Sequence, residues 1–139
     1  LIQDATYPLM DAIIDDDFTV LLETNGSIDL SRVPEDLVKI VDLKCPSSGM
    51  SDKNRMSNLD ILGRHDEVKF VIADRADYDW ARHLVRTEKR LEHGHAVHLT
   101  PVFGELDAAE LARWILEDRL PVRLGFQLHK FIWGAQTRR

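Results

Sequence analysis

A histidine near the carboxyl end of the chain is the residue best placed for ligand chemistry. Residues 122–128 predict the last strand of the sequence, and His129 follows that strand directly, beside Gln127 and Lys130. Folds built from parallel strands place their chemistry at the carboxyl ends of those strands. The charge of an imidazole changes near neutral pH, which suits the binding of a carboxylate. Because side chains alternate along a strand, we expect Gln127 and His129 to share one face.

Other residues capable of metal chemistry give weaker signals. Cys45 is the single cysteine of the chain, and an iron–sulfur cluster needs several grouped thiolates, so Cys45 is not predicted to be a cluster ligand. His93, His95 and His98 lie close in sequence, but the last two differ by an odd number and would point to opposite faces of a strand. This spacing favours a loop and surface position for the histidines. The three aspartates at 15–17 predict a solvated loop rather than a cation site.

The length predicts one domain, residues 1–139, and the composition of 44% hydrophobic and 30% charged residues predicts a soluble globular protein. The net charge of -6 argues against nucleic acid as a partner, because nucleic acid requires a clustered basic face. No apolar run approaches the ~20 residues of a membrane span, and no signal peptide precedes the first helix. We therefore expect a cytoplasmic protein. The chain lacks an initiator methionine, so we also expect a piece of a longer chain.

Alternating helices and strands must position these residues. Apolar periodicity predicts a helix over residues 4–14, and Asp74 and Asp107 are each placed to cap a later helix. The first predicted strand is a nearly continuous apolar run, which is typical of a strand buried on both faces. Strands that alternate with helices predict an α/β fold with parallel pairing, and hence an open sheet or a segment of a barrel. The predicted strands are residues 18–22, 38–43, 68–72, 96–102 and 122–128.

Four of the strands are followed or continued by distinctive sequences. The first three are Glu23-Thr24-Asn25-Gly26, Asp42-Leu43-Lys44-Cys45-Pro46-Ser47 and Thr100-Pro101-Val102-Phe103-Gly104. The fourth begins at Arg123 and reads R-x-x-x-Q-x-H-K before an aromatic residue. In this order, the four motifs resemble the 7-carboxy-7-deazaguanine synthase family of the radical S-adenosylmethionine (SAM) superfamily. The resemblance covers residues 4–133. It implies that the chain is the C-terminal portion of an incomplete, TIM-like radical SAM barrel and lacks the strands that bind the cluster.

The resemblance also implies a reaction. Such enzymes convert 6-carboxy-5,6,7,8-tetrahydropterin to 7-carboxy-7-deazaguanine with loss of ammonia, a step toward 7-deazapurines such as queuosine. The implied cofactors are SAM, a [4Fe-4S] cluster and Mg²⁺. The implied partners are the pterin substrate, a second copy of the chain in a homodimer, and an electron donor such as flavodoxin. The chain contains no cluster motif, so by itself it is expected to be inactive.

Site residues follow from the same resemblance, residue by residue. Gln127 and His129 correspond to substrate-binding positions, and no catalytic or metal-binding residue is assigned. The residues that correspond to cofactor-facing positions are Glu23, Asn25, Cys45, Pro46, Ser47, Thr100, Pro101, Val102 and Phe103. Two of these segments differ from the family's usual sequences, Ser-Pro-Lys and Gln-Pro-Met-Asp, so backbone contacts are expected there more than side-chain contacts.

Two other interpretations stay open at this point. The missing cysteines are compatible with a stand-alone α/β domain that binds a nucleotide or a protein partner without redox chemistry. That domain would be a monomer with a complete sheet, whereas a half-barrel would expose a sheet edge and seek a partner. Another radical SAM reaction, such as glycyl-radical activation, is the third interpretation. The sequence Gln127-x-His129-Lys130 argues against it by resemblance alone.

Overall fold

A computed structural model describes residues 3–92 and 94–134, and His93 lies outside these ranges. The described chain forms one five-stranded sheet in which neighbouring strands are parallel. The strands are β1 (Leu21–Thr24), β2 (Val38–Leu43), β3 (Glu67–Ile72), β4 (Ala96–Pro101) and β5 (Arg123–Leu124). The helices are α1 (Thr6–Asp15), α2 (Arg75–Thr87), α3 (Ala108–Glu117) and α4 (Leu128–Trp133). No helix within the described ranges has the length and apolar character needed to cross a membrane.

The strand order carries information about the architecture. The strands lie side by side in chain order, β1-β2-β3-β4-β5, without a reversal. Connections between parallel strands are nearly always right-handed. When each new strand is added on the same side of the previous one, all of these connections therefore lie on one face of the sheet. A doubly wound sheet reverses direction and places helices on both faces. The predicted α/β class is therefore confirmed, and the open sheet is consistent with a partial barrel.

Only one face of the sheet is closed by packing. Val41, Phe70 and Leu99 on this face have 0% exposure. Asp42 and Lys69, on the opposite face, are half-buried. The prediction that the first strand is buried on both faces is wrong, because β1 is the first strand of the sheet and its Leu21 is 59% exposed. We call the face that carries Asp42 and Lys69 the polar face.

The predicted helix caps are confirmed. The Asp74 side chain accepts a hydrogen bond from the backbone N–H of Asp77, and Asp107 caps α3 in the same way. The apolar residues of α3 recur at helical spacing, so one face of this helix is expected to be buried. Leu111 and Ile115 of α3 are buried as expected, but Leu116 is 75% exposed. The buried face of α3 is centred on Leu111 and Ile115. Leu116 is the next residue along the helix, about 100° further round, and so it points to solvent.

The last strand is much shorter than predicted, and its end has a physical cause. The backbone N–H of Gly125 donates to the carbonyl of Leu99 at 2.8 Å. The next residue of β4 that faces β5 is Pro101, which has no N–H to continue the ladder. The chain therefore leaves the sheet after Leu124 and forms α4 from Leu128. The prediction that Gln127 and His129 share one strand face is wrong.

An arginine joins the two short 3-10 helices at residues 56–61 and 89–92. Arg90 donates to the carbonyl of Met56 at 3.0 Å and to Asp60 at 3.1 Å. It also pairs with Glu88 at 2.7 Å. Hydrogen bonds from Arg90 are the main cause that lowers the pKa of Glu88 to about 2.

This pairing predicts a loss of stability in acid. Because the unfolded state takes up the Glu88 proton at higher pH than the folded state does, stability falls as the pH drops from about 4.5 toward 2. We expect Glu88→Gln to be less stable than wild type at pH 7 but to lose less stability across this window. Urea unfolding at pH 7, 4.5 and 3 measures both effects. If the free energy of unfolding changes with pH by the same amount in the two proteins, the Glu88–Arg90 pairing is contradicted.

Candidate functional site

The end of β1 presents Glu23 and Asn25 in different roles. Glu23 lies on the polar face, 63% exposed, and its carboxylate pairs with Lys69 of β3 at 3.1 Å. Asn25 turns back on its own loop, where its side-chain oxygen accepts from the N–H and hydroxyl of Ser27. A ligand at the polar face can therefore reach the Glu23 carboxylate by replacing Lys69 as its partner. Asn25 shapes the turn.

The loop after β1 is fixed from outside by a buried asparagine. Asn58 is 2% exposed, and its amide nitrogen donates to the carbonyls of Gly26 and Ile28 at 3.0 and 2.8 Å. Its oxygen accepts from the N–H of Leu30 at 3.1 Å. Gly26 has a φ of +67°, and an added Cβ would lie 2.9 Å from a methyl of Val41. Only glycine suits that position.

The segment after β2 combines a buried thiol with an exposed turn. Cys45 is 2% exposed, and burial, together with the nearby charges of Asp77 and Asp42, raises the pKa of its thiol. The thiol is therefore not a reactive thiolate, and as the single cysteine of the chain Cys45 cannot supply the several thiolates that a cluster needs. Pro46 and Ser47 lie outside, at the start of a short 3-10 helix.

A second asparagine holds the start of this segment. Asn54 accepts from the backbone N–H of Lys44 at 2.8 Å and donates to its carbonyl at 2.9 Å. The Lys44 ammonium pairs with Asp42 on the polar face at 2.8 Å. The side-chain amide of Asn54 thus bonds to both the N–H and the carbonyl of Lys44. These two hydrogen bonds fix the direction of the backbone just before Cys45.

The end of β4 supplies the third segment. Thr100 is 3% exposed, and its hydroxyl lies 2.4 Å from the position that a Cβ on Gly125 would occupy. The N–H of Val102 donates to Ile72 of β3 at 2.8 Å. Phe103 is 39% exposed and meets the ring of Phe131 edge-on. Backbone and aromatic surface, rather than the Thr100 hydroxyl, are what this segment offers a ligand.

A cleft of about 430 Å³ lies beside this segment and brings three predicted residues together: Pro101, Phe103 and Gln127. Its walls also include Phe126 and Phe131, whose rings meet edge-on at 5.9 Å. The side-chain oxygen of Gln127 is buried and accepts no hydrogen bond within the described chain. An apolar cleft of this size with one unsatisfied acceptor suits a flat heteroaromatic group that carries an N–H.

His95, His98 and His129 lie apart from this cleft. His129 is exposed in the first turn of α4 and does not line the cleft. His95 is 6% exposed, so the predicted surface position is wrong for it. His98 lies on β4, 3.4 Å from the carboxylate of Glu67. Within the described residues, no three His, Cys, Asp or Glu side chains are grouped so that they could hold a metal ion.

The residues that hold the loops are not marked by any sequence motif. Asn54 and Asn58 fall in a polar stretch that is typical of a solvated loop, and neither has a pattern that marks it as buried. Asp77 lies on α2 one turn after the capping Asp74, and its burial to 1% is equally unmarked. One indirect signal for Asp77 exists in the sequence: it is a polar residue at a helical position whose neighbours on the same face are apolar.

Comparison with known proteins gives a consistent result. No family model matches the chain. The 7-carboxy-7-deazaguanine synthase of Koribacter versatilis is 44% identical over 94% of this chain and 63% of its own length. The synthase of Chlorobaculum tepidum is 39% identical over 99% of this chain and 64% of its own. The protein of the same name from Methanospirillum hungatei is 35% identical over 81% of this chain and 46% of its own.

The chain thus spans just under two thirds of the length of the first two relatives, which is consistent with the predicted C-terminal portion. The matches extend over nearly the whole sequence, including all the strand-end segments described above. The resemblance to the 7-carboxy-7-deazaguanine synthase family is thus confirmed by sequence similarity over nearly the whole chain, and the unreversed parallel sheet is consistent with a portion of such a protein.

Proposed function

We propose that this chain is the C-terminal portion of a radical SAM lyase. The parent enzyme converts 6-carboxy-5,6,7,8-tetrahydropterin to 7-carboxy-7-deazaguanine with loss of ammonia, for 7-deazapurine and queuosine biosynthesis. The observation that carries the proposal is the 44% identity over 94% of the chain to a protein named 7-carboxy-7-deazaguanine synthase. Residues 1–139 form a single domain of that enzyme, which is cytoplasmic and homodimeric.

The strand ends supply the SAM contacts in this proposal. Backbone groups at 45–47 and 100–103 meet the cofactor, and Glu23 exchanges Lys69 for a ligand hydroxyl at the polar face. The cleft beside Phe103 fits a flat heteroaromatic ring, because rings line it and the Gln127 oxygen lacks a donor. The chemistry that bound SAM supplies is hydrogen abstraction from the pterin. This chain's own residues bind and orient the two ligands.

The cluster is held by residues other than those described. Cys45 does not fit a ligand role, since a single cysteine cannot supply the several thiolates that a cluster needs. The ligands of the [4Fe-4S] cluster would therefore come from another part of the parent protein, and an electron donor such as flavodoxin would supply its electron. Among the described residues no side chains are grouped to hold a metal ion, so Mg²⁺ would bind mainly through the substrate carboxylate and would supply charge neutralisation there.

Two experiments test the proposed function. The coding sequence upstream of Leu1 is expected to contain a three-cysteine motif within about 100 residues, the length of roughly three more βα units. The full-length protein with a reconstituted cluster is expected to convert the carboxytetrahydropterin anaerobically. Absence of product with an intact cluster would rule out this substrate. The 139-residue chain alone is expected to show no turnover.

His129 is proposed to bind the substrate. In the full-length enzyme we expect His129→Ala to weaken pterin binding roughly tenfold or more, the cost of losing a hydrogen bond to a charged group, while SAM affinity stays the same. Titration calorimetry with each ligand measures both affinities. His83→Ala removes another exposed helical histidine, from α2, and serves as the control. Equal losses for both ligands in the His129 variant would contradict the assignment.

A further inference from the structure

Asp77 is a buried carboxylate that faces the ends of two strands. It lies in the first turn of α2 and is 1% exposed. One of its oxygens accepts from the backbone N–H of Ser47 at 3.0 Å, and the other accepts from the N–H of Ala73 at 3.1 Å. The hydroxyl of Ser47 donates to that second oxygen as well. Three donors on one buried carboxylate offset much of the cost of removing it from water.

These hydrogen bonds join two neighbouring corners of the sheet. Ala73 follows β3, and Ser47 follows the adjacent strand β2 by a few residues. The Ala73 corner is rigid, because Asp74 caps α2 through the N–H of Asp77 itself. Ser47 is exposed, and the hydrogen bonds that its N–H and hydroxyl make are the ones to Asp77. The position of an exposed loop is thus set by a buried group on a different element.

We propose that Asp77 is a positioning residue for the SAM-facing segment 45–47. This inference rests on the proposed function, since it takes that segment to contact the cofactor. Asp77 touches no ligand in this role. It holds the Ser47 backbone at a fixed distance from the end of β3, so that the exposed residues Pro46 and Ser47 and their carbonyl groups are aligned before SAM binds. Preorganisation of this kind lowers the ordering cost of binding.

Asp77→Asn tests the role with the smallest change of shape. An amide presents one oxygen and one NH₂ group, so one of the two carboxylate oxygens is replaced by a donor that faces other donors. In the full-length protein with a reconstituted cluster, we expect the variant to bind SAM roughly tenfold or more weakly, as measured by calorimetry. Pterin affinity and the cluster spectrum stay at wild-type values. Amide hydrogen exchange rises at Ser47 and Ala73, whose N–H groups lose an acceptor.

Asp118→Asn is the matched control. Asp118 also accepts hydrogen bonds from side chains of α2, Tyr78 and Arg82, but it lies beyond the end of α3, away from residues 45–47. This variant is expected to lose stability without losing SAM affinity. Ser47→Ala, which deletes only the hydroxyl bond, is expected to weaken SAM binding less than Asp77→Asn does, and it keeps the test decisive if Asp77→Asn does not fold.

The outcomes separate this inference from the function beneath it. The positioning role is overturned if folded Asp77→Asn binds SAM as tightly as wild type. If Asp77→Asn does not fold, an unchanged SAM affinity in Ser47→Ala overturns it. In both cases turnover by the wild-type enzyme still supports the proposed function. Equal losses of SAM affinity in Asp77→Asn and Asp118→Asn also overturn the positioning role, because they indicate general destabilisation of the fold. A wild-type protein that has an intact cluster but binds no SAM overturns the proposed function, and the positioning role with it.

Discussion

Asp66→Ala is expected to lower the free energy of unfolding by about 3–5 kcal/mol, the cost of breaking a buried charge pair. The side chains of Asp66 and Lys39 are 5% and 4% exposed, and their charged atoms lie 3.6 Å apart. The carboxylate also accepts from the N–H groups of Lys39 at 2.7 Å and Gly63 at 2.8 Å. Alanine would leave a buried ammonium with the carbonyl of Leu37 as its remaining partner in the described chain.

Urea unfolding of wild type and variant measures this loss. Asp52→Ala is the control, because Asp52 pairs with Lys53 at 3.0 Å, a shorter distance, but both side chains are more than 60% exposed. An exposed pair contributes at most about 1 kcal/mol. Similar losses in the two variants would show that burial does not determine the strength of the Lys39–Asp66 pair.

Tyr78→Ala is expected to cost about 3–5 kcal/mol, as large aromatic truncations in a core do. Tyr78 has 0% exposure, and its ring packs against that of Trp114 with centroids 5.3 Å apart. The hydroxyl lies 2.8 Å from both the carbonyl of Trp114 and the carboxylate of Asp118, which share its one hydrogen. Tyr78→Phe keeps the ring and is expected to lose only about 1.5–3 kcal/mol, the value of a hydrogen bond to a charged group.

The same hydroxyl predicts a sensitivity to alkali. Burial, followed by the hydrogen bond to Asp118, raises the pKa of Tyr78. The folded state therefore keeps its proton when the unfolded state has released it, and stability falls as the pH rises above about 10. Denaturant unfolding at pH 8 and pH 10.5 should show a steeper decline for wild type than for Tyr78→Phe. Tyr7→Phe, which alters a tyrosine outside this network, should behave like wild type.

Local sequence signals predicted much of the fold. The Asp74 and Asp107 caps depend on side chains that bond to backbone two or three residues away, so the spacing alone predicts them. The buried strands β2 and β3 were found within a residue of their observed bounds. Parallel pairing followed from the alternation of strands and helices.

The site was less predictable, because its geometry depends on contacts between distant residues. The prediction for Gln127 and His129 failed because the end of β5 is determined by Pro101, which lies 24 residues before Gly125. Asn58 and Asp77 were missed because a single polar residue carries no mark of the backbone groups it will meet. The SAM-facing and substrate-facing roles of the strand-end residues stay predictions.

The sequence by itself determined the class of fold, the helix caps and the family, since each depends on local periodicity or on motifs in chain order. Only the tertiary structure decided which face of the sheet is closed, where the last strand ends and which side chains hold the loops at its carboxyl edge. Those features arise where strands from different parts of the chain meet. Burial and hydrogen-bond partners at such meetings are properties of the folded molecule, not of any segment of its sequence.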